Sequence, residues 1–326
     1  MKTIVKKKLW ILYAVVFGFS YSLAFAQSGE IPLDPKVLPI IVKIKTISQL
    51  SKKQTSGTGF VVAREVITES SKGRAYFLVT NKHMVSDWTL PDGSIANFNR
   101  FIDVYFYKAI QNKKNQPTRI SLLDQQGDVR TRVVYAHPDN SVDIAIIFIN
   151  AALQDLSDIN LPAFDVSFLR PFNAITSTYF NIGSQVFVLG YPFGITSLGT
   201  NYPIAKFGFI AATPGEEFAI NVKNINRAGK IVEVRLEGKL LIIDGLIVPG
   251  NSGGPVVLPS VIKTRINPET GIFEHWTKQS DNQVIGILSG GFGPSGLSYS
   301  YSSDYIVEAI DNFLSREGLR PASVWP

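Results

Sequence analysis

Residues 244–258 read Asp-Gly-Leu-Ile-Val-Pro-Gly-Asn-Ser-Gly-Gly-Pro-Val-Val-Leu. Ser252 stands between glycines, after a largely apolar run from Leu240 to Val248 and before a second one from Val256 to Leu258. Two apolar runs joined by a glycine-rich hexapeptide predict a tight turn between strands. Glycine reaches backbone conformations that a side chain resists. A serine held in such a turn can present its hydroxyl outward, with the N–H groups of Gly250 and Ser252 aimed at one spot. Such a pair of donors is what an oxyanion needs. A bare Ser-Gly-Gly is equally an ordinary turn, so the reading depends on the partners the rest of the chain supplies.

A serine hydroxyl is a poor nucleophile near neutral pH. It needs an adjacent base, usually histidine, oriented by a buried carboxylate. The chain has three histidines, at 83, 137 and 275. His83 follows the apolar run Phe77–Thr80 and so falls in a tight connection at a strand end. His137 reads as structural, and His275, beside Trp276 in a polar stretch, as a surface residue. Asp143 opens the run Asp143-Ile144-Ala145-Ile146-Ile147. Its rival Asp139 lies in the preceding turn and reads as a solvated turn residue.

Taken together, these segments resemble the chymotrypsin-like serine proteases. Gly250-Asn251-Ser252-Gly253-Gly254-Pro255 resembles that family's nucleophile turn, and residues 244–255 are similar to its bacterial Deg (high-temperature-requirement) branch. Thr80-Asn81-Lys82-His83 resembles the histidine segment, Gly57–Val62 the strand upstream of it, and Asp143-Ile144-Ala145 the aspartate segment. Ala136-His137-Pro138 resembles the approach to that aspartate, and Gly190–Gly194 a segment bordering the cleft. The order His83, Asp143, Ser252 belongs to the chymotrypsin-like fold and differs from the subtilisin and α/β-hydrolase orders. The resemblance spans residues 38–315. It implies that Ser252 is the nucleophile, His83 the base and Asp143 its orienting carboxylate, with the oxyanion hole at Gly250 and Ser252. It implies no metal and no organic cofactor.

The resemblance also implies a specificity pocket. In the family, the residue six before the nucleophile lies at the pocket base, which here is Leu246, and the wall is Ser289-Gly290-Gly291. An apolar Leu246 gives no countercharge to Lys or Arg, so a small or medium apolar residue is expected before the cleaved bond. The alternative is that Leu246 belongs to the core. Trypsin-type zymogens place an aspartate immediately before the nucleophile; Asn251 is neutral there, so activation by an amino-terminal ion pair is not expected.

Hydrophobic residues make up 45% of the 326, enough for a sizeable core. Lys2, Lys6, Lys7 and Lys8 precede an apolar run from Leu9 to Leu23, and Ala24-Phe25-Ala26 has a small-x-small pattern. This reads as a secretory signal peptide, with an amino-terminal anchor as the alternative. No later stretch reaches the ~20 apolar residues of a membrane span. Removing residues 1–26 removes four lysines and no acid. The net charge of +6 then becomes 28 basic against 26 acidic side chains, or +2. No nucleic-acid partner is therefore indicated, and the small basic patch of Lys108, Lys113, Lys114 and Arg119 reads as a solvated loop. The chain has no cysteine. It therefore has no disulfide and no thiolate metal site, and its scattered histidines make a poor metal site. A bacterial periplasmic or extracellular setting fits a disulfide-free secreted chain.

After a polar leader, 27–37, short apolar runs predict strands at 39–47, 59–64, 75–80, 101–107, 129–135 and 143–149. A second set falls at 185–189, 204–212, 230–235, 240–243, 255–258 and 283–288. One helix is predicted over 304–315, capped by Ser303, with Ile306, Ala309, Ile310 and Phe313 on one face. Residues 151–182 read as a linker, and 108–128 and 259–282 as polar insertions. The pattern is all-β, sandwich or barrel. Two six-stranded antiparallel barrels, 38–182 and 183–326, with a carboxy-terminal helix are what the resemblance adds. The ten residues after Arg316 leave no room for the PDZ domain that Deg-type proteases usually carry.

The expected function is a secreted serine endopeptidase acting on protein or peptide substrates. The alternatives are a non-catalytic binding protein on the same fold, or an esterase using the same residues. The leader makes its own prediction: exported protein is cut after Ala26 and begins at Gln27, which intact mass checks. Retention of residues 1–26 on membrane-bound protein would favour the anchor.

Overall fold

The computed structural model describes residues 33–49, 51–67, 72–88, 95–107, 116–150, 161–175, 180–197, 200–225, 231–259, 263–266, 270, 273–276 and 282–323. The expected signal peptide and Lys108, Lys113 and Lys114 lie outside these. The chain divides into two compact units, Asp34–Leu258 with Asn282–Pro326, and Met1–Leu33 with Pro259–Asp281. In the smaller unit, Lys263–Ile266 and Phe273–Trp276 pair as an antiparallel hairpin, so the 259–282 insertion carries strands of its own.

The larger unit holds two β-structures. In the first half, β1 (Ile41–Ile47), β2 (Gln54–Ile67), β3 (Lys72–Thr80), β4 (Phe101–Tyr105), β5 (Thr118–Ser121), β6 (Val134–Ala136) and β7 (Ala145–Phe148) form one sheet, ordered β5-β4-β1-β2-β3-β7-β6. Two short strands, Phe164–Asp165 and Arg320–Pro321, also pair with β2. Residues Gly57 to Arg64 of β2 are buried without alternation, which requires cover on both faces. In the second half, β8 (Gln185–Gly190), β9 (Ile204–Ile210), β10 (Leu240–Asp244), β11 (Pro255–Val257), β12 (Val284–Gly291) and β13 (Leu297–Ser302) close into a barrel, ordered β8-β9-β10-β13-β12-β11. Val186, Val188, Ile243, Val256, Ile285 and Leu288 fill its core, with Phe172, Ile175 and Phe180 from the stretch read as a linker. Closure is complete in this half. Among the described residues the first sheet stays an open, barrel-like half.

Several bounds differ from those expected, each for a local reason. Pro35–Ile40 forms a 3-10 turn capped by the Asp34 carboxylate, so β1 begins only at Ile41. Residues 130–133 turn, with the Val133 N–H on the Arg130 carbonyl at 2.7 Å, and leave only Val134–Ala136 as strand. The 108–128 stretch contains β5, which pairs with β4. A long hairpin of Phe218–Ile225 with Ile231–Gly238 extends the predicted 230–235 strand.

Two helices bear on the site. The short α1 (Lys82–Val85) follows β3. The terminal α2 (Ser303–Arg316) is capped by Ser302 rather than Ser303, its hydroxyl accepting the Asp304 N–H at 3.3 Å. The expected apolar face is the buried one. Phe313 is 1% exposed and sits against Phe77 and Phe148, ring centroids 5.5 and 5.6 Å away. The helix of the second half therefore seals the sheet of the first. Phe313→Ala leaves an aromatic-sized void there and is expected to cost about 3–5 kcal/mol of unfolding free energy, measured by denaturant titration.

Candidate active site

The serine turn is held by close backbone approaches that exclude side chains. A Cβ on Gly253 would lie 2.0 Å from the Thr58 carbonyl oxygen, and one on Gly250 would lie 2.2 Å from that of Tyr191. Both glycines have positive φ, 85° and 99°. Thr58 of β2 grips the turn. Its N–H donates to the Ser252 carbonyl at 2.8 Å, and its hydroxyl donates to the Gly250 carbonyl at 2.6 Å. The same hydroxyl accepts the Tyr191 N–H at 3.1 Å, and the Thr58 carbonyl accepts the Thr80 hydroxyl at 2.8 Å. On the other side the Phe193 N–H donates to the Pro249 carbonyl at 2.7 Å, with Phe193 itself at φ 52°. Among the described residues the N–H groups of Gly250 and Ser252 donate to nothing.

His83 and Asp143 meet. His83 Nδ1 lies 2.7 Å from Asp143 Oδ2, and the His83 N–H donates to Asp143 Oδ1 at 3.1 Å. The carboxylate is 1% exposed and the imidazole 32%. Burial alone would lower the imidazole's proton affinity. The charge of Asp143 and its hydrogen bond outweigh that and hold the His83 pKa above its ordinary value. With Nδ1 engaged, Nε2 is the free ring nitrogen. His137 and Asp139 are elsewhere engaged, as expected. His137 is buried, with Nε2 3.5 Å from Glu308, while Asp139 accepts the Ser141 N–H and hydroxyl at 2.8 and 2.7 Å.

Ser289 joins the three expected residues. Its hydroxyl donates to Asp143 Oδ2 at 2.6 Å, and its carbonyl accepts the Ser252 hydroxyl at 3.3 Å. Ser252 Oγ is thus turned to Ser289 and not to the imidazole. From the sequence Ser289 was expected as pocket wall, and its contact with Asp143 was missed. The register of β12 against β13 shifts between Leu288 and Gly290. Such an irregularity re-aims a side chain and leaves no signature in residue type.

A cleft of about 250 Å³ opens beside the serine, lined by Leu246, Ile247, Val248, Ser252, Gly290 and Gly291 among others. Leu246, Gly290 and Gly291 are therefore brought together with Ser252, and Ser289 is not in the lining. Leu246 is 61% exposed and lies in the cleft lining, so the alternative that it belongs to the core does not hold. The acidic residues Asp304 and Glu308 of α2 are not among the lining residues. Asp304 accepts the Phe172 N–H at 2.7 Å and pairs with Lys239 at 2.8 Å. Asn251 is 1% exposed, and its side-chain nitrogen has no partner among the described residues.

The trypsin-like peptidase domain model matches residues 57–260. The sequence matches no curated protein. Among solved structures, the chain is similar to the active form of the Rv3671c protease from M. tuberculosis, with 18% identity over 91% of this chain and 92% of that one, at a TM-score of 0.44. It is also similar to the serine endoprotease from Yersinia pestis, with 19% identity over 91% of this chain and 77% of that one, at a TM-score of 0.43.

The His83–Asp143 contact carries a prediction with its sign. A histidine whose folded pKa is raised stabilises the fold fully below the unfolded pKa, and that stability is lost as pH rises through the folded one. Asp143→Asn removes the charge that raises it. The His83 ring, followed by NMR, is expected to titrate above 6.5 in the wild type and at lower pH in the variant.

Proposed function

The chain belongs to the trypsin-like peptidase family, and we propose that it is a secreted serine endopeptidase whose chemistry is carried by Ser252, His83 and Asp143. The observation that carries this is the buried Asp143 carboxylate on His83 Nδ1 at 2.7 Å, tied through Ser289 to the serine turn. In the proposed reaction the Ser252 hydroxyl swings from the Ser289 carbonyl to His83 Nε2. Nucleophile–base hydrogen bonds are often long or absent before substrate binds. Ser252 Oγ then attacks the peptide carbonyl carbon as His83 takes its proton. The carbonyl oxygen becomes an oxyanion facing the Gly250 and Ser252 N–H groups. The imidazolium, stabilised by Asp143, returns the proton to the leaving amine as the C–N bond breaks. Water, deprotonated by His83, releases the acyl group by the same steps reversed.

Substrate selection follows from the cleft. Leu246, Ile247 and Val248 present apolar surface, while Gly290 and Gly291 leave it open. A Lys or Arg side chain would find no carboxylate in this lining to balance its charge. An apolar residue of small or medium size is therefore favoured, by roughly 10–200-fold for a good fit. Among the described residues no helix is long and apolar enough to cross a membrane. Export rests on the leader sequence.

Digestion of a peptide library by the mature protein tests the whole reading. Ser252→Ala and His83→Ala are each expected to lose on the order of 10³–10⁶ in kcat while remaining folded, and Asp143→Asn at most about 10⁴. Cleavage by Ser252→Ala at the wild-type rate would overturn the mechanism. Predominant cuts after Lys or Arg would overturn the pocket alone.

A further inference from the structure

Three consecutive residues engage the loop 139–143. The Asn81 amide donates to the Asp143 carbonyl at 2.8 Å, Lys82 Nζ donates to the Asp139 carbonyl at 2.6 Å, and His83 holds the Asp143 carboxylate. Lys82 is the unusual member. Lysines ordinarily run their stems along apolar surface and leave the ammonium in water. Lys82 is 1% exposed and among the largest buried side chains of the fold. Its position, immediately before the proposed base, brings a cation into the low-dielectric ground behind Asp143.

On the triad reading above, we propose that Lys82 is a positioning residue of the same site. Its ammonium ties the histidine turn to the aspartate loop and balances the buried Asp143 carboxylate while His83 is neutral. A buried charge without a counterpart is costly, and Asp143 is 1% exposed. The other groups around Lys82 do not supply that counterpart. Asp139 is a second carboxylate, and its side chain is occupied by Ser141. His137, at the β6 end, is held below its ordinary pKa, by burial first and by Lys82 in part, against the raising effects of Glu308 and Asp139. Glu308 of α2 is 52% exposed and its charge is screened, and Tyr305 meets the His137 ring edge-on with centroids 5.3 Å apart. Lys82 itself is pushed down to about 8 by burial, opposed by Asp143 and Asp139, so it is protonated at neutral pH. While it is charged, a cation there disfavours a proton on His83, which keeps the base free at a lower pH than Asp143 alone would allow.

The test is the His83 titration by NMR, together with the pH profile of kcat/KM, in wild type, Lys82→Met and Lys82→Arg. Methionine keeps the stem length and removes the charge, and thermal melting checks the fold. The expected result is a His83 midpoint about one pH unit higher in Lys82→Met, with kcat/KM reduced up to about tenfold on the acid limb and KM unchanged. Lys82→Arg is expected to restore the wild-type midpoint. If the methionine variant does not fold, Lys82→Gln, which keeps a donor for the Asp139 carbonyl without the charge, is measured the same way. A folded neutral variant with the wild-type His83 midpoint would overturn the proposal. The NMR titration needs no turnover. It therefore separates failure here from failure of the triad, which shows instead as unimpaired hydrolysis by Ser252→Ala.

Discussion

The site depends on one residue of the first sheet reaching into the second half. Thr58 is 0% exposed and uses all of its polar groups. Its N–H and hydroxyl hold the carbonyls of Ser252 and Gly250, its hydroxyl also receives the Tyr191 N–H, and its carbonyl receives the Thr80 hydroxyl. By fastening two carbonyls of the serine turn on one side, Thr58 leaves the N–H groups of Gly250 and Ser252 for the other. The grip also explains the glycines. With the Thr58 carbonyl where Gly253 would carry a Cβ, no other residue fits. The turn is shaped by the strand it touches as much as by its own sequence.

The histidine is placed from the same origin. β3 lies beside β2 in register, and Thr80, at its end, bonds the Thr58 carbonyl. Three residues later His83 emerges with its ring on Asp143, whose own position is set by the pairing of β7 with β3 from Thr80 and Ala145 onward. His83 and Asp143 thus follow directly from two adjacent strands, and Ser252 from a turn that Thr58 fastens to the same sheet.

Much of this was legible because local chemistry and global fold agree. The Gly-Asn-Ser-Gly-Gly run announces a turn that only glycine can make, and Ile306, Ala309, Ile310 and Phe313 announce the buried face of α2. Other features were silent for physical reasons. β13, Leu-Ser-Tyr-Ser-Tyr-Ser, alternates in a way that suggests one wet face, yet Ser298, Ser300 and Ser302 are all 0% exposed. Small hydroxyl residues bury at little cost when a neighbour accepts their hydrogen bond, as the Ile243 carbonyl does for Ser298 at 3.3 Å and the Asp304 carboxylate for Ser302 at 2.7 Å, whereas the Ser300 hydroxyl finds no partner among the described residues. The role of Ser289 hangs on a register shift, and that of Lys82 on burial, and neither is written in residue type.

The hydrogen bonds at the site are also unequal in a way that bears on its chemistry. The two side-chain bonds to Asp143 Oδ2, from His83 Nδ1 and Ser289, are 2.7 and 2.6 Å, whereas the Ser252 hydroxyl lies 3.3 Å from the Ser289 carbonyl. Bonds to a charged group are short and strong, while a neutral hydroxyl at the long limit of the range is weakly held. The carboxylate, the imidazole and the bulged strand therefore form the rigid part, and the Ser252 hydroxyl is the part free to turn. In the proposed reaction, rotation about the Ser252 Cα–Cβ bond gives up this one long hydrogen bond to the Ser289 carbonyl. The turn on which Ser252 rests is itself fastened to Thr58.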